Sequence, residues 1–251
     1  MCDDTARNDK RGIRRAFDIH SIGMVAELDR FLDRGMYDVA EAALYARVST
    51  QLASRWMFGS GAGTSALRRE LQSPQGEKLV TFADFVQILS VRQLRTRPQG
   101  AVPLAKVRQA VDFLHERHQM DYPFARRHTL YTFQREIVYR HPEHGLLFVT
   151  GREVDQSLIH QVVEPHLEQL SYGSDGVACE YRIHEEEGVK IVMRPGIMFG
   201  EPVLPSGHTA RTLWEAVDYE GGFDEAAKAY GVDAREVRVA FRFFDQLLRA
   251  A

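Results

Sequence analysis

Thr50, Gln51, Ser54 and Arg55 bring hydroxyl, amide and guanidinium groups to the first turns of one short segment. Side chains of that kind hydrogen-bond to base edges in the major groove of a duplex, and an arginine among them also reaches phosphate. The chemistry on offer is recognition, not bond making. Ser49 stands where it can cap a helix, and Leu52 and Trp56, at i and i+4, read as the inner face of that helix. Arg47, in the turn, is a candidate phosphate contact, and Ser49, at the helix start, is a candidate DNA contact. Arg68, Arg69 and Lys78 read as further phosphate contacts, carried on a β-hairpin wing over residues 59–80. The competing reading of 47–55 is the exposed face of an ordinary helical scaffold. Capping, turn and polar face agree at once, which favours the recognition reading.

Other residues offer less. His115 and His118 are i, i+3 on a helix, and His141 and His144 lie in a loop; neither pair has the His-Glu-x-x-His spacing that puts two ligands on one helical face. Cys2 and Cys179 stand alone, without a CxxC pair. No Gly-x-Ser-x-Gly, Walker or Rossmann string occurs, and the glycine run 59–63 follows a helix where a phosphate cradle needs a strand. The expectation is no enzyme, no cofactor and no metal. Glu185, Glu186 and Glu187 read as a solvated hairpin tip.

The elements that position these groups follow from patterning. Asp38 can cap a short alanine-rich helix, Arg47-Val48 forms a turn, and residues 37–58 read as helix-turn-helix. Helices are predicted over 82–95 and 104–118, strands over 129–133, 136–139 and 146–149, a helix over 156–170, and a hairpin from 178–184 and 189–193. Three helices close the chain, over about 209–219, 223–230 and 234–249. The last has an apolar stripe of Val237, Phe241, Phe244 and Leu248, with Phe243 off the stripe and expected to be exposed. Arg235, Arg238, Arg242 and Arg249 share its other face. Residues 1–35 read as a charged arm with a helix over 16–34.

Charge is uneven along the chain. Residues 37–150 carry 15 basic and 10 acidic side chains, whereas 151–251 carry 10 basic and 18 acidic. A polyanion suits the first region and a neutral or basic partner the second. No apolar run is long enough for a bilayer span of roughly 20 residues, and the start lacks the basic and apolar pattern of a secretory signal, so a cytoplasmic protein is expected.

Residues 37–118, with Glu41-Ala42-Ala43, Val48-Ser49 and Arg55-Trp56 in sequence, resemble the MerR-type winged helix. The string 194–204, with Leu213-Trp214-Glu215-Ala216 and 223–248 behind it, resembles a small domain of unknown function common in bacterial VapB-like antitoxins. This resemblance covers residues 37 to the end. Arg47 stands where the family turn usually has Gly, and a left-handed conformation there would cost about 1 kcal/mol. The resemblance implies an α+β, mainly helical fold: an arm (1–35), a winged-helix DNA-binding domain (36–120), an α/β connector (121–193) and a C-terminal helical domain (194–251). It implies a homodimer that represses its own operon by binding double-stranded operator DNA, and that neutralises a PIN-like ribonuclease toxin by direct binding. Trp214, Arg238, Phe241, Arg242, Phe243 and Phe244 are then the expected toxin contacts. Two alternatives remain open: a stand-alone ligand-responsive regulator, and a protein-interaction module without DNA binding.

Overall fold

At the centre of the molecule lies a helix, residues Phe82–Thr96, buried on nearly every side. Its sequence explains this. Phe82, Ala83, Phe85, Val86, Ile88, Leu89, Val91 and Leu94 point around the whole circumference, which suits a helix with neighbours on all faces. Thr81 and Asp84 close its start reciprocally: the Asp84 amide donates to Thr81 Oγ1 (3.1 Å) and the Thr81 amide to the Asp84 carboxylate (3.2 Å). Farther along, the Ser90 hydroxyl is within hydrogen-bond distance of the Val86 and Phe124 carbonyls.

The computed structural model describes residues 34–60, 64–69, 71, 76–96, 100–127, 130–133, 135–141, 144–149 and 169–249. Among them are seven α-helices and three small antiparallel sheets, a mixed α+β and mainly helical fold. The helices are α1 (Val39–Ala46), α2 (Thr50–Phe58), α3 (Phe82–Thr96), α4 (Leu104–His118), α5 (Ala210–Glu220), α6 (Phe223–Tyr230) and α7 (Ala234–Arg249). The expected arm over 1–35 and the helix over 16–34 fall almost wholly outside the described residues, as does most of the helix expected over 156–170; Leu170 begins a strand instead.

The first sheet is minimal. β1 (Tyr37–Asp38) pairs with β2 (Leu79–Val80), Tyr37 opposite Val80. The wing expected over 59–80 falls in a stretch only partly within the described residues. The strand before α3 pairs with the strand before α1, and no hairpin forms among the described residues of 59–80. Residues 66 and 67 are instead turned back onto α2, their amides donating to the Trp56 carbonyl at 2.8 and 3.0 Å.

The second sheet is a meander of β3 (Leu130–Phe133), β4 (Glu136–His141) and β5 (Gly145–Phe148). It meets α4 through Phe113, His118 and Tyr139, whose rings lie 5.2–5.5 Å apart. The third sheet orders β6 (Leu170–Tyr172), β7 (Ala178–Glu186) and β8 (Val189–Met193), with α7 packed on β8.

One hydrophobic core takes in residues from Tyr37 to Leu247. The Phe85 ring sits 5.5 Å from Tyr37 and 5.8 Å from Tyr181, linking the helix-turn-helix to β7. The Tyr37 hydroxyl donates to the Gly200 carbonyl at 2.8 Å. A Cβ at Gly200 would collide with that hydroxyl, and Gly200 has φ +79°, so glycine is required there twice over.

Candidate functional site

The helix-turn-helix is built as its sequence suggests. Asp38 accepts from the Glu41 amide (2.8 Å) while the Glu41 carboxylate accepts from the Asp38 amide (3.3 Å), a complete capping box. At the other end of α1, Arg47 adopts φ 52°, ψ 48°. The Arg47 amide donates to Leu44 and the Val48 amide to Ala43, both at 3.0 Å, satisfying the last carbonyls of α1. Ser49 Oγ then accepts from the Leu52 amide (3.3 Å) and starts α2. A left-handed arginine costs about 1 kcal/mol relative to glycine, and the turn keeps it.

The inner face of α2 is Ala53, Trp56 and Met57. This corrects the sequence reading, which paired Leu52 with Trp56. Leu52 is 39% exposed and stands outside with Thr50, Gln51 and Arg55. The i, i+3, i+4 spacing of 53, 56 and 57 was the signal that could have placed it there. A methyl-bearing side chain between Gln51 and Arg55 can contact a thymine methyl in a major groove. Arg47, Ser49, Thr50, Gln51, Arg55, Arg68 and Lys78 are exposed, and Ser54 and Arg69 are half-buried.

Two basic residues gather at the far end of α2. The Arg69 guanidinium lies 4.4 Å, and Lys78 Nζ 5.3 Å, from the Phe58 ring centroid. Arg69 also donates to the Leu79 carbonyl (3.2 Å). Both side chains thus lie against the end of α2, and Arg69 is tied to β2 as well.

The C-terminal candidates separate into core and surface. Phe243 is 0% exposed, and Phe244 is buried as well. The expectation that Phe243 is exposed is overturned, and neither ring is open to a partner. The cause is the phase of α7: lying between α5 and β8, it buries Val237, Val239, Ala240, Phe243, Phe244 and Leu247, a broader arc than the one stripe read from sequence. Phe241 is half-buried edge-on against Phe223, and Leu248 is exposed. Trp214 is half-buried, its ring 5.2 Å from Phe244.

The arginines of α7 are all engaged. Arg235 faces Asp233 (3.3 Å), Arg238 faces Asp224 (3.5 Å) and Arg249 faces Asp245 (3.0 Å). Arg242 bridges Glu186 (3.1 Å) and Glu187 (2.8 Å), so the β7–β8 tip is a clasp on α7 and not simply a solvated tip. Burial by itself would raise the Glu186 pKa. Hydrogen bonds from Arg242 and His184, and their charges, outweigh it and hold that carboxyl below its ordinary value.

A surface that the sequence reading missed lies at 197–199. Ile197, Met198 and Phe199 are exposed in succession, Phe199 to 72%. Met198 and Phe199 have φ 45° and 51°. Left-handed backbone in two neighbouring non-glycine residues costs about 1–3 kcal/mol each. The signal was Gly196-Ile197-Met198-Phe199-Gly200, three large apolar residues between glycines.

No protein-family model matches the chain. A Mycobacterium tuberculosis protein named "Putative antitoxin VapB45" is 25% identical over 242 residues, covering 85% of this chain and 95% of the relative. The chain is thus similar to an antitoxin over most of its length. A second protein of the same organism, "Uncharacterized protein Rv2308", is 24% identical over 222 residues, covering 84% of this chain and 91% of the relative. The crystal structure of Rv2018, also from M. tuberculosis, superposes with a TM-score of 0.55 at 20% identity, over 83% of this chain and 98% of that one, a likeness of fold. Among the described residues no helix is long and apolar enough to cross a membrane, and no group of three His, Cys, Asp or Glu is placed to hold a metal.

Proposed function

We propose that the chain is a cytoplasmic, non-enzymatic antitoxin that represses its own operon as a homodimer and neutralises a PIN-like ribonuclease toxin by direct binding. The observation that carries this reading is the likeness to an antitoxin across 85% of the chain, which takes in both the helix-turn-helix and the C-terminal region. Operator DNA is read by the exposed side of α2: Thr50, Gln51 and Arg55 at base edges, with Leu52 among them and Ser54 at their border. Arg47, Ser49, Arg68, Arg69 and Lys78 hold phosphates. The capped start and the polar leading face of α2 support this assignment.

The toxin is held by the C-terminal region, with Ile197, Met198 and Phe199 as its apolar anchor. Exposed apolar side chains on costly backbone give the free protein nothing, and that combination is typical of a binding surface. Trp214, Phe241, Arg238 and Arg242 are at least partly accessible and are further candidate contacts, whereas Phe243 and Phe244 are buried.

Two experiments test the reading. The chain is co-expressed with the product of the neighbouring gene and purified by a tag on one of them; copurification of a stable complex is expected, and its absence rejects the antitoxin assignment. Upstream DNA is titrated with the chain in a gel; retardation that weakens steeply with salt is expected, and none at low salt rejects the operator assignment.

A further inference from the structure

A cavity of about 390 Å3 opens where the helix-turn-helix meets the third sheet. Its walls come from three separated parts of the chain: Tyr45 and Arg47 from the end of α1 and its turn, Arg92 from α3, and Tyr181, Arg182 and Glu185 from β7. Three arginines and one glutamate thus line it. Arg182 is engaged with Glu185 at 2.9 Å. His184, also in the wall, faces Glu186 outside it at 3.3 Å. Arg47 and Arg92 have no carboxylate partner among the described residues. Burial holds the pKa of the Tyr181 phenol above its ordinary value, and the charges of Arg47 and Arg92 offset only part of that rise, so both guanidiniums bear on the same hydroxyl.

A guanidinium offers forked donors that match the oxygens of a phosphate, and two of them without a counter-charge in a concave site favour a dianion. The volume is within the range of small-molecule sites and exceeds what a lone phosphate fills. The half-buried Tyr181 borders the space left for the remainder of a ligand. We propose that this cavity binds a phosphate-bearing small molecule of mononucleotide size, and that its occupancy weakens operator binding.

The sign of the coupling follows from Arg47. It stands in the turn, three residues before α2 begins. A bound dianion takes Arg47 as its partner and sets negative charge beside the place where the duplex backbone would run. Both effects oppose DNA. The coupling rests on the operator reading above; the binding of the small molecule does not.

The full chain is titrated by calorimetry with AMP and with inorganic phosphate, and compared with Arg92→Gln, Glu185→Gln and Arg55→Ala. AMP is expected to bind more tightly than phosphate. Arg92→Gln should lose about tenfold or more in affinity, the worth of a hydrogen bond to a charged group. Glu185→Gln should tighten binding, because it removes the competing carboxylate, and a gain cannot come from misfolding. Arg55→Ala, outside the cavity, should bind as the wild type does. In the gel, AMP should release operator DNA from the wild type and not from Arg92→Gln.

Absence of heat with both probes overturns the proposal, as does AMP binding indifferent to both Arg92→Gln and Glu185→Gln. If neither probe binds while Arg92→Gln weakens DNA binding and flattens its salt dependence, the arginines hold duplex phosphates and the small-molecule site is rejected. If AMP binds as expected but the chain retards no DNA, the cavity assignment holds and the operator reading, with its coupling, falls.

Discussion

Phe199 and Phe243 carry the same side chain in opposite surroundings, and truncating each should give opposite results. Phe243 is 0% exposed, with its ring 5.3 Å from His184. Phe243→Ala leaves a void between α7 and its neighbours and should cost about 3–5 kcal/mol, the usual penalty for a fully buried phenylalanine. That is a large part of the roughly 5–15 kcal/mol that holds a domain folded. Phe199 is 72% exposed. Phe199→Ala keeps its Cβ, so the left-handed backbone cost is unchanged, and folding stability should shift by no more than about 0.5 kcal/mol. Urea unfolding followed by tryptophan fluorescence reads both, since Trp56 is buried and Trp214 half-buried. Against the proposed toxin the ranking reverses: Phe199→Ala should lose about 2 kcal/mol or more of binding, as an apolar anchor does. A loss under about 1 kcal/mol in Phe243→Ala would refute the burial argument. Unchanged toxin affinity in Phe199→Ala would remove the loop from the partner surface.

Three further outcomes are expected. Arg55→Ala should weaken operator binding and lower the salt slope by about 1 if the side chain holds a phosphate, with toxin binding intact; equal DNA affinity removes Arg55 from the site. Asp38→Ala opens the capping box of α1 and should cost about 1 kcal/mol in thermal unfolding; no change would mean the box contributes nothing net. Glu186 is held below its ordinary pKa by Arg242 and His184 against the upward push of burial. A depressed carboxyl contributes stability that is present above its unfolded pKa and lost as pH falls through the folded value. Stability should therefore fall on the acid side, and Arg242→Gln should flatten that fall; an unchanged acid limb would show that the clasp does not drive it.

Local rules carried most of what could be read in advance. The caps at Asp38 and Ser49, the turn at Arg47 and the hairpin of β7 and β8 are set by residues within a few positions of each other, and each stands where the sequence implied. What failed depends on distant neighbours. The strand at Leu79–Val80 looked like half of a wing because its partner, Tyr37–Asp38, lies some forty residues earlier. Phe243 looked exposed because one stripe of α7 was counted, whereas the helix is covered from two sides. Leu52 was placed inside because Trp56 was paired with the wrong neighbour on α2, and the 53-56-57 spacing settles the phase. The 197–199 surface was present as a string of apolar residues between glycines, but only the fold reveals that nothing among the described residues covers it.

The shared core gives the two proposed binding surfaces a physical connection. Tyr37 lies in the strand that leads into α1, yet its hydroxyl is spent on Gly200, the residue directly after Phe199. Glu41, in the capping box of α1, faces Arg211 of α5 at 3.8 Å. The same short stretch therefore fixes both the start of α1, the helix before α2, and one end of the strained apolar loop. A loop held in costly backbone has somewhere to relax when a partner covers it, and packed interiors pass on such shifts rather than absorbing them. Any change that partner binding makes at Gly200 meets Tyr37, and Tyr37 meets Phe85 at the centre of the molecule. If toxin binding changes operator affinity, linkage requires that operator DNA change toxin affinity by the same factor. The Tyr37–Gly200 hydrogen bond is one buried contact through which that shared free energy can pass.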